Sequence, residues 1–333
     1  MLKSRKSNRL PKAQYLELEA RLCQRLHQVI DKKRYRLPRF WAAKKDFGDL
    51  DLLLGYNEQD PEWATIRENL LASLPLEDSE ESKGRLNGFF EGFPVDILLF
   101  PEESLDMATH YLSFPEVGHL LGRIAHGLGL DLNPEGLYYT YRREDGQYKR
   151  PLLLSRDFPT ICQFFGLSAR AWQNGFAKPE EMFAWVTASP YFSSKPYKQP
   201  ATELKQRLEQ RPQLQAFRDF LQKNRFFRPG QSPEILPHVI LLRLEKFFPE
   251  SQLRQFISQE QYLETKAQEI YQKFNKKLVQ TWLPDLSKET LSDFLTAFKQ
   301  QHVNFKAYIR RSNAEQICED VKAFYEGFGK LSE

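Results

Sequence analysis

Residues 44–54 of the chain read KKDFGDLDLLL, and the prediction of the fold starts from this stretch. Side chains alternate between the two faces of a strand, so Asp49 and Asp51 point to the same face. The other face receives apolar side chains from Leu50, Leu52 and Leu54. Two ionised carboxylates this close repel each other unless a positive charge neutralises them. Magnesium is a hard cation that prefers oxygen ligands, so the pair predicts a metal site at the mouth of an apolar strand.

The composition is that of a globular protein with room for two or three domains. The chain has 333 residues, of which 41% are hydrophobic and 14% aromatic, and this is enough to bury a substantial core. No apolar run is long enough to span a bilayer, and the basic N-terminal segment lacks the apolar centre of a signal peptide. We therefore expect a cytoplasmic location and no membrane partner. The formal net charge of +4 does not by itself indicate a nucleic-acid partner.

Cysteine usage and charge clustering narrow the chemistry further. Cys23, Cys162 and Cys318 lie far apart without CxxC spacing, which argues against a disulfide framework and against a cysteine-ligated zinc site. Basic residues gather before the carboxylate pair, and acidic residues at 77–81 predict an exposed loop. The first basic cluster is as consistent with a solvated surface as with phosphate contacts.

Apolar periodicity predicts the order helix, strand, helix, strand in the first hundred residues. Apolar side chains recur every three or four positions across residues 11–30 and 63–74, as in amphipathic helices. Strands are predicted at residues 49–54 and 93–100, and a hairpin at residues 137–154 with its turn at Asp145-Gly146. Helices are predicted at residues 117–128 and at 158–165, the second capped by Asp157 and stopped by Gly166. From about residue 200 onwards the pattern is nearly all helical.

Asp96 supplies a third carboxylate, in the second predicted strand. Three carboxylates from two neighbouring strands could hold two magnesium or manganese ions, one activating an attacking hydroxyl and one neutralising a triphosphate. Such reactions depend on position and charge neutralisation, so few other residues are obligatory. Asp49, Asp51 and Asp96 are the predicted catalytic and metal-binding residues. The alternative is an exposed edge strand with solvated acids, but the leucines that follow the pair favour a central strand.

A family resemblance rests on these motifs. GDLDLL at residues 48–53, followed by VDIL at residues 95–98, resembles the signature of the DNA polymerase beta-like nucleotidyltransferase superfamily. Residues 111–138 resemble the thumb-side region of family X polymerases, and residues 155–167 (SRDFPTICQFFGL) resemble a further segment of that family. The resemblance covers residues 25–170. It implies a nucleotidyltransferase fold, two divalent ions, a nucleoside triphosphate and a nucleic-acid acceptor.

One departure from the family pattern concerns the triphosphate. Members of this superfamily usually carry a Gly-Ser pair shortly before the first aspartate, and this chain has PRFWAA at residues 38–43 instead. Arg39, Lys44 and Lys45 are then the candidates for phosphate contact by charge and position. The resemblance adds Gly48 of the motif to this group.

The resemblance also implies that His119 and Arg123 lie on a nucleotide-contacting helix. A zinc site built from His119, His126 and His110 can be imagined, but the spacing is weak and no cysteine or close carboxylate joins it. A structural or phosphate-contacting role is preferred for His119. For Arg123, a contact to the nucleotide and a surface salt bridge are equally consistent with the sequence.

The predicted fold class is α+β, with a small mixed sheet flanked by helices and a mainly α-helical C-terminal domain. We divide the chain into a catalytic domain (residues 1–105), a nucleotide-contacting subdomain (106–175) and a helical domain (176–333). The predicted activity transfers a nucleoside monophosphate to a nucleic-acid 3′-hydroxyl and releases pyrophosphate. Two alternatives stay open: transfer to a protein or small-molecule hydroxyl, and a catalytically degenerate nucleic-acid-binding protein.

Overall fold

A computed structural model of the chain describes residues 9–82, 84–143, 148–227 and 236–328. The chain divides into two units. The first comprises Met1–Arg142 and Tyr148–Leu253, and the second comprises Arg143–Gln147 and Arg254–Glu333. The first unit thus contains the predicted catalytic segment, nearly all of the predicted nucleotide-contacting segment, and the beginning of the helical remainder.

A five-stranded mixed sheet forms the N-terminal part of the first unit. The elements here are β1 (Leu10–Pro11), α1 (Lys12–Leu26), β2 (Tyr35–Arg36), β3 (Asp46–Phe47), β4 (Leu50–Tyr56), α2 (Trp63–Ser73), β5 (Glu77–Ser82), β6 (Arg85–Phe90) and β7 (Phe93–Pro101). The strand order is β2-β4-β7-β6-β5, while β1 pairs separately with β3. Strands β4 and β7 run parallel, and the other neighbours are antiparallel. The central position of β4 confirms that the strand after Asp49 is not an exposed edge.

The two faces of β4 pack against different helices. Leu50, Leu52 and Leu54 are fully buried in a cluster with side chains of α1 and α2. On the opposite face, Leu53 packs against Leu105 and Ala108, which lie in the α-helix that follows β7. This second face also carries Asp51, because residues two apart on a strand share a face.

The acidic segment at residues 77–81 is a strand, so the predicted loop was wrong. It forms β5, the exposed edge of the sheet, and pairs antiparallel with β6. An edge strand satisfies its backbone through one neighbour while its charged side chains stay in water, and charge on an edge discourages pairing with another chain. The low hydrophobicity of this segment therefore concealed a strand.

A second sheet has three antiparallel strands, in the order β10-β9-β8. The elements here are α3 (Leu105–Leu112), α4 (Val117–Gly127), β8 (Leu130–Asn133), β9 (Gly136–Arg142), β10 (Lys149–Ser155) and α5 (Phe158–Phe164). The predicted hairpin is confirmed as β9 and β10, although its turn at Asp145-Gly146 lies outside the described residues. The predicted cap is also confirmed, since Asp157 accepts a hydrogen bond from the Thr160 amide at 2.9 Å. Strand β8 was not predicted from the sequence.

Helices make up the remainder of the described chain, as predicted. In the first unit they are α6 (Ala169–Asn174), α7 (Pro179–Thr187), α8 (Lys195–Lys198), α9 (Thr202–Gln210), α10 (Pro212–Lys223) and α11 (Pro237–Phe247). The following helices are α12 (Leu253–Lys273), α13 (Lys276–Trp282), α14 (Leu291–Gln300), α15 (Phe305–Arg311) and α16 (Ala314–Phe328). The second unit has its own core, which includes Phe294, Phe298 and Ile317. These elements confirm the α+β class with a helical C-terminal region.

Two further expectations can be compared with the structure. Cys23, Cys162 and Cys318 are free thiols, in agreement with the predicted absence of a disulfide framework. Within the described ranges, no helix combines the length and apolar character needed to cross a membrane.

Candidate active site

Asp51 and Asp96 are direct neighbours across the two parallel central strands. The register pairs Leu50 with Val95, Asp51 with Asp96, and Leu52 with Ile97. All four apolar members of these pairs are fully buried, which holds the register firmly because a slip of one residue would turn them towards solvent. The two carboxylates consequently project from the same face of the sheet, from strands about 4.8 Å apart.

Asp49 lies two residues before Asp51, in the extended segment that leads into β4, and its side chain is exposed. Burial, together with the negative charges of Asp49 and Asp96, raises the pKa of Asp51 to about 6. The Asp51 side chain is nevertheless accessible to solvent. The surrounding protein therefore removes part of the hydration of the carboxylate but leaves it accessible to solvent. The negative charges of the three acids also act on one another.

Two residues on β6 extend this polar surface. Asn87 is the register partner of Asp96 on the other side of β7. The Arg85 guanidinium donates hydrogen bonds to Asp96 Oδ2 and, through Nε, to Asn87 Oδ1 at 2.6 Å. The Asp96 side chain is only 19% exposed. Arg85 and Asn87 were not predicted from the sequence, although their alternate positions directly before the Asp96 strand were the available signal.

The donor set fits a hard divalent cation in its chemistry. It consists of carboxylate oxygens from Asp49, Asp51 and Asp96, and a bound cation would offset the charges of Asp49 and Asp96, which add to burial in raising the pKa of Asp51. Within the described chain, no three His, Cys, Asp or Glu side chains are already arranged as metal ligands. Asp96 faces Arg85 through Oδ2, so ion binding would use its other oxygen or draw the carboxylate away from the guanidinium.

Among the predicted phosphate contacts, Lys44 is the one whose pKa responds to the charges of Asp49 and Asp51. Burial lowers the pKa of Lys44, while the charges of Asp49 and Asp51 act in the opposite direction. Its ammonium lies 4.1 Å from the centre of the Phe47 ring. Lys44 therefore supplies a partly desolvated positive charge beside the carboxylates.

The absence of a side chain at Gly48 lets the Arg9 guanidinium lie against the backbone just before Asp49. A Cβ atom at Gly48 would lie 3.1 Å from Arg9 Nη1, which is tighter than most contacts of this kind. Arg9 is held by Asp46, whose Oδ1 accepts a hydrogen bond from Nε at 2.5 Å. Arg9 is one of the basic residues before the carboxylate pair, and it was not predicted as a phosphate contact.

Arg39 and Lys45 have different surroundings. The Arg39 guanidinium lies between the rings of Phe114 and Trp172, at 5.1 and 5.0 Å from their centres. It also donates a hydrogen bond to the Trp172 carbonyl at 3.1 Å. Lys45 is exposed, and its carbonyl accepts a hydrogen bond from the Lys12 amide at 2.8 Å. These contacts give Arg39 a structural role, and phosphate binding by either residue stays a prediction.

His119 and Arg123 lie in a different place from the carboxylates. Both line a cleft of about 720 Å³ that is formed by α4, the β8–β9–β10 sheet and α9, and its described lining does not include Asp49, Asp51 or Asp96. Burial and, after it, the nearby charge of Arg207 lower the pKa of His119 to about 4. The predicted site residues thus form two groups, one on the five-stranded sheet and one in this cleft.

Comparison with known proteins adds no assignment to this geometry. No protein-family model and no curated protein sequence matches the chain.

Proposed function

We propose that the protein is a metal-dependent nucleotidyltransferase. The observation that carries the proposal is the register pairing of Asp51 with Asp96 on adjacent parallel strands, with Asp49 two residues upstream. Carboxylates crowded on one sheet face are costly for a fold. A catalytic cation offers a reason for keeping them together.

The proposed reaction joins a nucleoside monophosphate to an acceptor hydroxyl. The acceptor oxygen forms a bond to the α-phosphorus of a nucleoside triphosphate, and the bond from that phosphorus to the pyrophosphate oxygen breaks. Pyrophosphate leaves with the bonding electron pair, and the hydroxyl proton passes to solvent. Catalysis of this type requires an in-line arrangement and compensation of phosphate charge.

Asp49, Asp51 and Asp96 are the residues that would hold magnesium or manganese. When bound, such an ion lowers the pKa of a hydroxyl and offsets charge on the triphosphate. Arg85 and Asn87 restrain Asp96 through the hydrogen bonds described above, and residues that orient a metal ligand in this way affect metal affinity.

Lys44 and Arg9 are the groups that we assign to the triphosphate in place of the missing Gly-Ser turn. Lys44 is coupled to the charges of Asp49 and Asp51. Arg9 passes over Gly48, immediately before the acids. A guanidinium and an ammonium bind phosphate oxygens by charge-assisted hydrogen bonds, which do not require a particular loop shape.

Incorporation of labelled nucleotide tests the proposal. The full-length protein is incubated with each labelled nucleoside triphosphate and magnesium, in the presence of DNA, RNA, protein or small-molecule acceptors. We expect magnesium-dependent labelling of nucleic acid that Asp51→Asn and Asp96→Asn abolish. Glu58→Gln is the matched control, because Glu58 is an exposed carboxylate just beyond the other end of β4. Labelling of a protein or small molecule instead would change the acceptor, and no labelling of any acceptor would refute the activity.

A second candidate is a nucleic-acid-binding protein with an inactive site. The observation that favours it is the engagement of Asp96 by Arg85, which neutralises one of the three acids without a metal ion. Metal-independent, salt-sensitive binding of single strands, with no release of pyrophosphate under any acceptor condition, would support this candidate.

A further inference from the structure

The cleft beside α4 has the size and polarity of a ligand site. Its volume of about 720 Å³ lies inside the range of roughly 300–1,000 Å³ that is usual for small-molecule sites. One wall is the α4 face that carries His119, Gly122 and Arg123. The other walls come from β8, β9, β10 and α9.

Arg123 is the charge in this cleft that the protein leaves uncompensated. The residue as a whole is half-buried. Among the residues that the structure describes, none accepts a hydrogen bond from Arg123 or forms an ion pair with it. A guanidinium that has lost part of its hydration and faces no anion costs free energy, because no protein group replaces the lost contacts with water. An anionic ligand group would supply the missing partner.

The other arginine of the cleft is already paired. Arg207 Nη2 lies 3.2 Å from Glu203 Oε1, and Arg207 Nη1 lies 3.1 Å from His119 Nδ1. A guanidinium can only donate, so His119 Nδ1 accepts and its proton resides on Nε2. His119 is therefore neutral in this arrangement, which agrees with its low pKa of about 4.

The acids of the cleft limit how much negative charge a ligand can bring. Asp131 accepts a hydrogen bond from Thr140 Oγ1 at 2.7 Å and lies 3.7 Å from Arg142 Nη2, and Glu203 neutralises Arg207. Glu135 lies at the rim, where solvent screens it. With Asp131 and Glu203 paired, Arg123 is the one cleft cation left for a ligand, which matches a single phosphate, whereas a triphosphate would bring more negative charge than this cation compensates.

The walls also offer groups that suit a nucleobase. Tyr138 and Tyr111 line the cleft and are half-buried, and aromatic faces stack on bases with little sequence preference. Asn133 and Asp131 lie among the same lining residues, and their side-chain oxygens accept hydrogen bonds from exocyclic amino groups.

We infer that this cleft binds one nucleotide unit. Its single phosphate would contact Arg123, and its base would stack on Tyr138 or Tyr111. The unit is either a free nucleoside monophosphate or one residue of a single strand. The inference rests on the proposed function for its role, because a strand bound here would be the acceptor. It assigns His119 and Arg123 to the acceptor rather than to the triphosphate.

Binding without metal tests the inference separately from catalysis. Full-length protein in EDTA is titrated with nucleoside monophosphates by calorimetry, and with fluorescent five-nucleotide RNA and DNA by anisotropy at several salt concentrations. For Arg123→Gln we expect at least about tenfold weaker binding and a salt slope smaller by about 0.7 for single strands. Arg170→Gln is the matched control, because Arg170 is an exposed arginine on α6 outside the cleft lining, and it should bind like the wild type.

The two probes distinguish the two sources of the nucleotide unit. Loss of oligonucleotide binding in Arg123→Gln alone identifies a strand as the ligand, and loss of monophosphate binding alone identifies a free nucleotide. Unchanged binding of both, or equal losses in Arg170→Gln, overturns the inference. Thermal unfolding of Arg123→Gln shows whether the variant is folded, and we expect no loss of stability because the substitution removes no hydrogen bond or ion pair. Arg123-dependent binding without any nucleotide incorporation would refute the proposed activity and leave the cleft assignment standing.

Discussion

The Arg85 guanidinium is hydrogen-bonded to Asp96 across the β6–β7 pair, so an arginine neutralises one member of the carboxylate group. The contact is partly exposed on the Arg85 side and mostly buried on the Asp96 side. A positive charge at this place would compete with the proposed divalent cation for Asp96. It also holds the carboxylate in one orientation through the bridge to Asn87.

Replacing Arg85 should therefore strengthen cation binding. We expect Arg85→Gln to raise the affinity for Mn²⁺ about fivefold, because a unit charge near 4 Å is worth about 1 kcal/mol in water. The free Mn²⁺ signal in electron paramagnetic resonance measures this affinity directly. Arg67→Gln is the control, since Arg67 pairs with Glu81 away from the three acids. Weaker binding in Arg85→Gln would mean that orientation of Asp96 matters more than competition for it.

Removing the charge of Asp51 should stabilise the metal-free protein and abolish the proposed nucleotidyltransferase activity. The side chain is accessible and lies beside Asp49 and Asp96, so Asp51→Asn removes like-charge repulsion without opening a cavity. We expect a gain below about 1 kcal/mol in the free energy of unfolding. Urea unfolding in EDTA at neutral pH measures it, with Glu58→Gln for comparison. A clear loss of stability would contradict the idea that these acids repel one another.

Gly118 should be the least replaceable glycine of α4. A Cβ atom there would lie 2.4 Å from the Tyr111 carbonyl oxygen and 2.7 Å from its ring carbons, so α4 would have to move away from α3. We expect Gly118→Ala to cost roughly 1–3 kcal/mol of stability. Gly127→Ala, at the end of the same helix, meets no atom within 4 Å and should be neutral or stabilising, by up to about 1 kcal/mol. Denaturant melts of the two variants give the comparison, and equal effects would contradict close packing at Gly118.

His119 should make stability depend on pH in the acidic range. Its pKa is lowered to about 4 in the folded protein, first by burial and then by the charge of Arg207, whereas an unfolded histidine titrates near 6.5. Between these values the unfolded chain binds a proton that the folded protein does not, so stability falls as the pH decreases from about 6.5 to about 4.

The matching variant isolates this contribution. We expect His119→Gln to lose less stability than the wild type over the same pH interval, by roughly 1–2 kcal/mol. Urea unfolding at pH 7, 6, 5 and 4 measures both proteins. Parallel pH profiles of wild type and variant would show that His119 is not held neutral by its surroundings.

The local parts of the fold follow from sequence patterns. The apolar spacing in α1 and α2, the alternation around Asp49 and Asp51, and the cap at Asp157 each depend on residues close together in the chain. The acidic strand β5 and the short strand β8 escaped prediction. Their strand geometry is stabilised by hydrogen bonds to neighbouring strands, and their own composition carries little signal for it.

The site divides in the same way. The candidate residues follow from the sequence alone: three acids on two apolar strands, a following helix with His119 and Arg123, and a flanking lysine. The pairing of Asp51 with Asp96 and the contact of Arg85 with Asp96 are visible only in the folded structure. So is the position of Arg123, in a cleft that the three sheet carboxylates do not line. The physical reason is that side-chain alternation acts along the chain. Register and neighbourhood depend on backbone ladders and packing between segments that are distant in sequence.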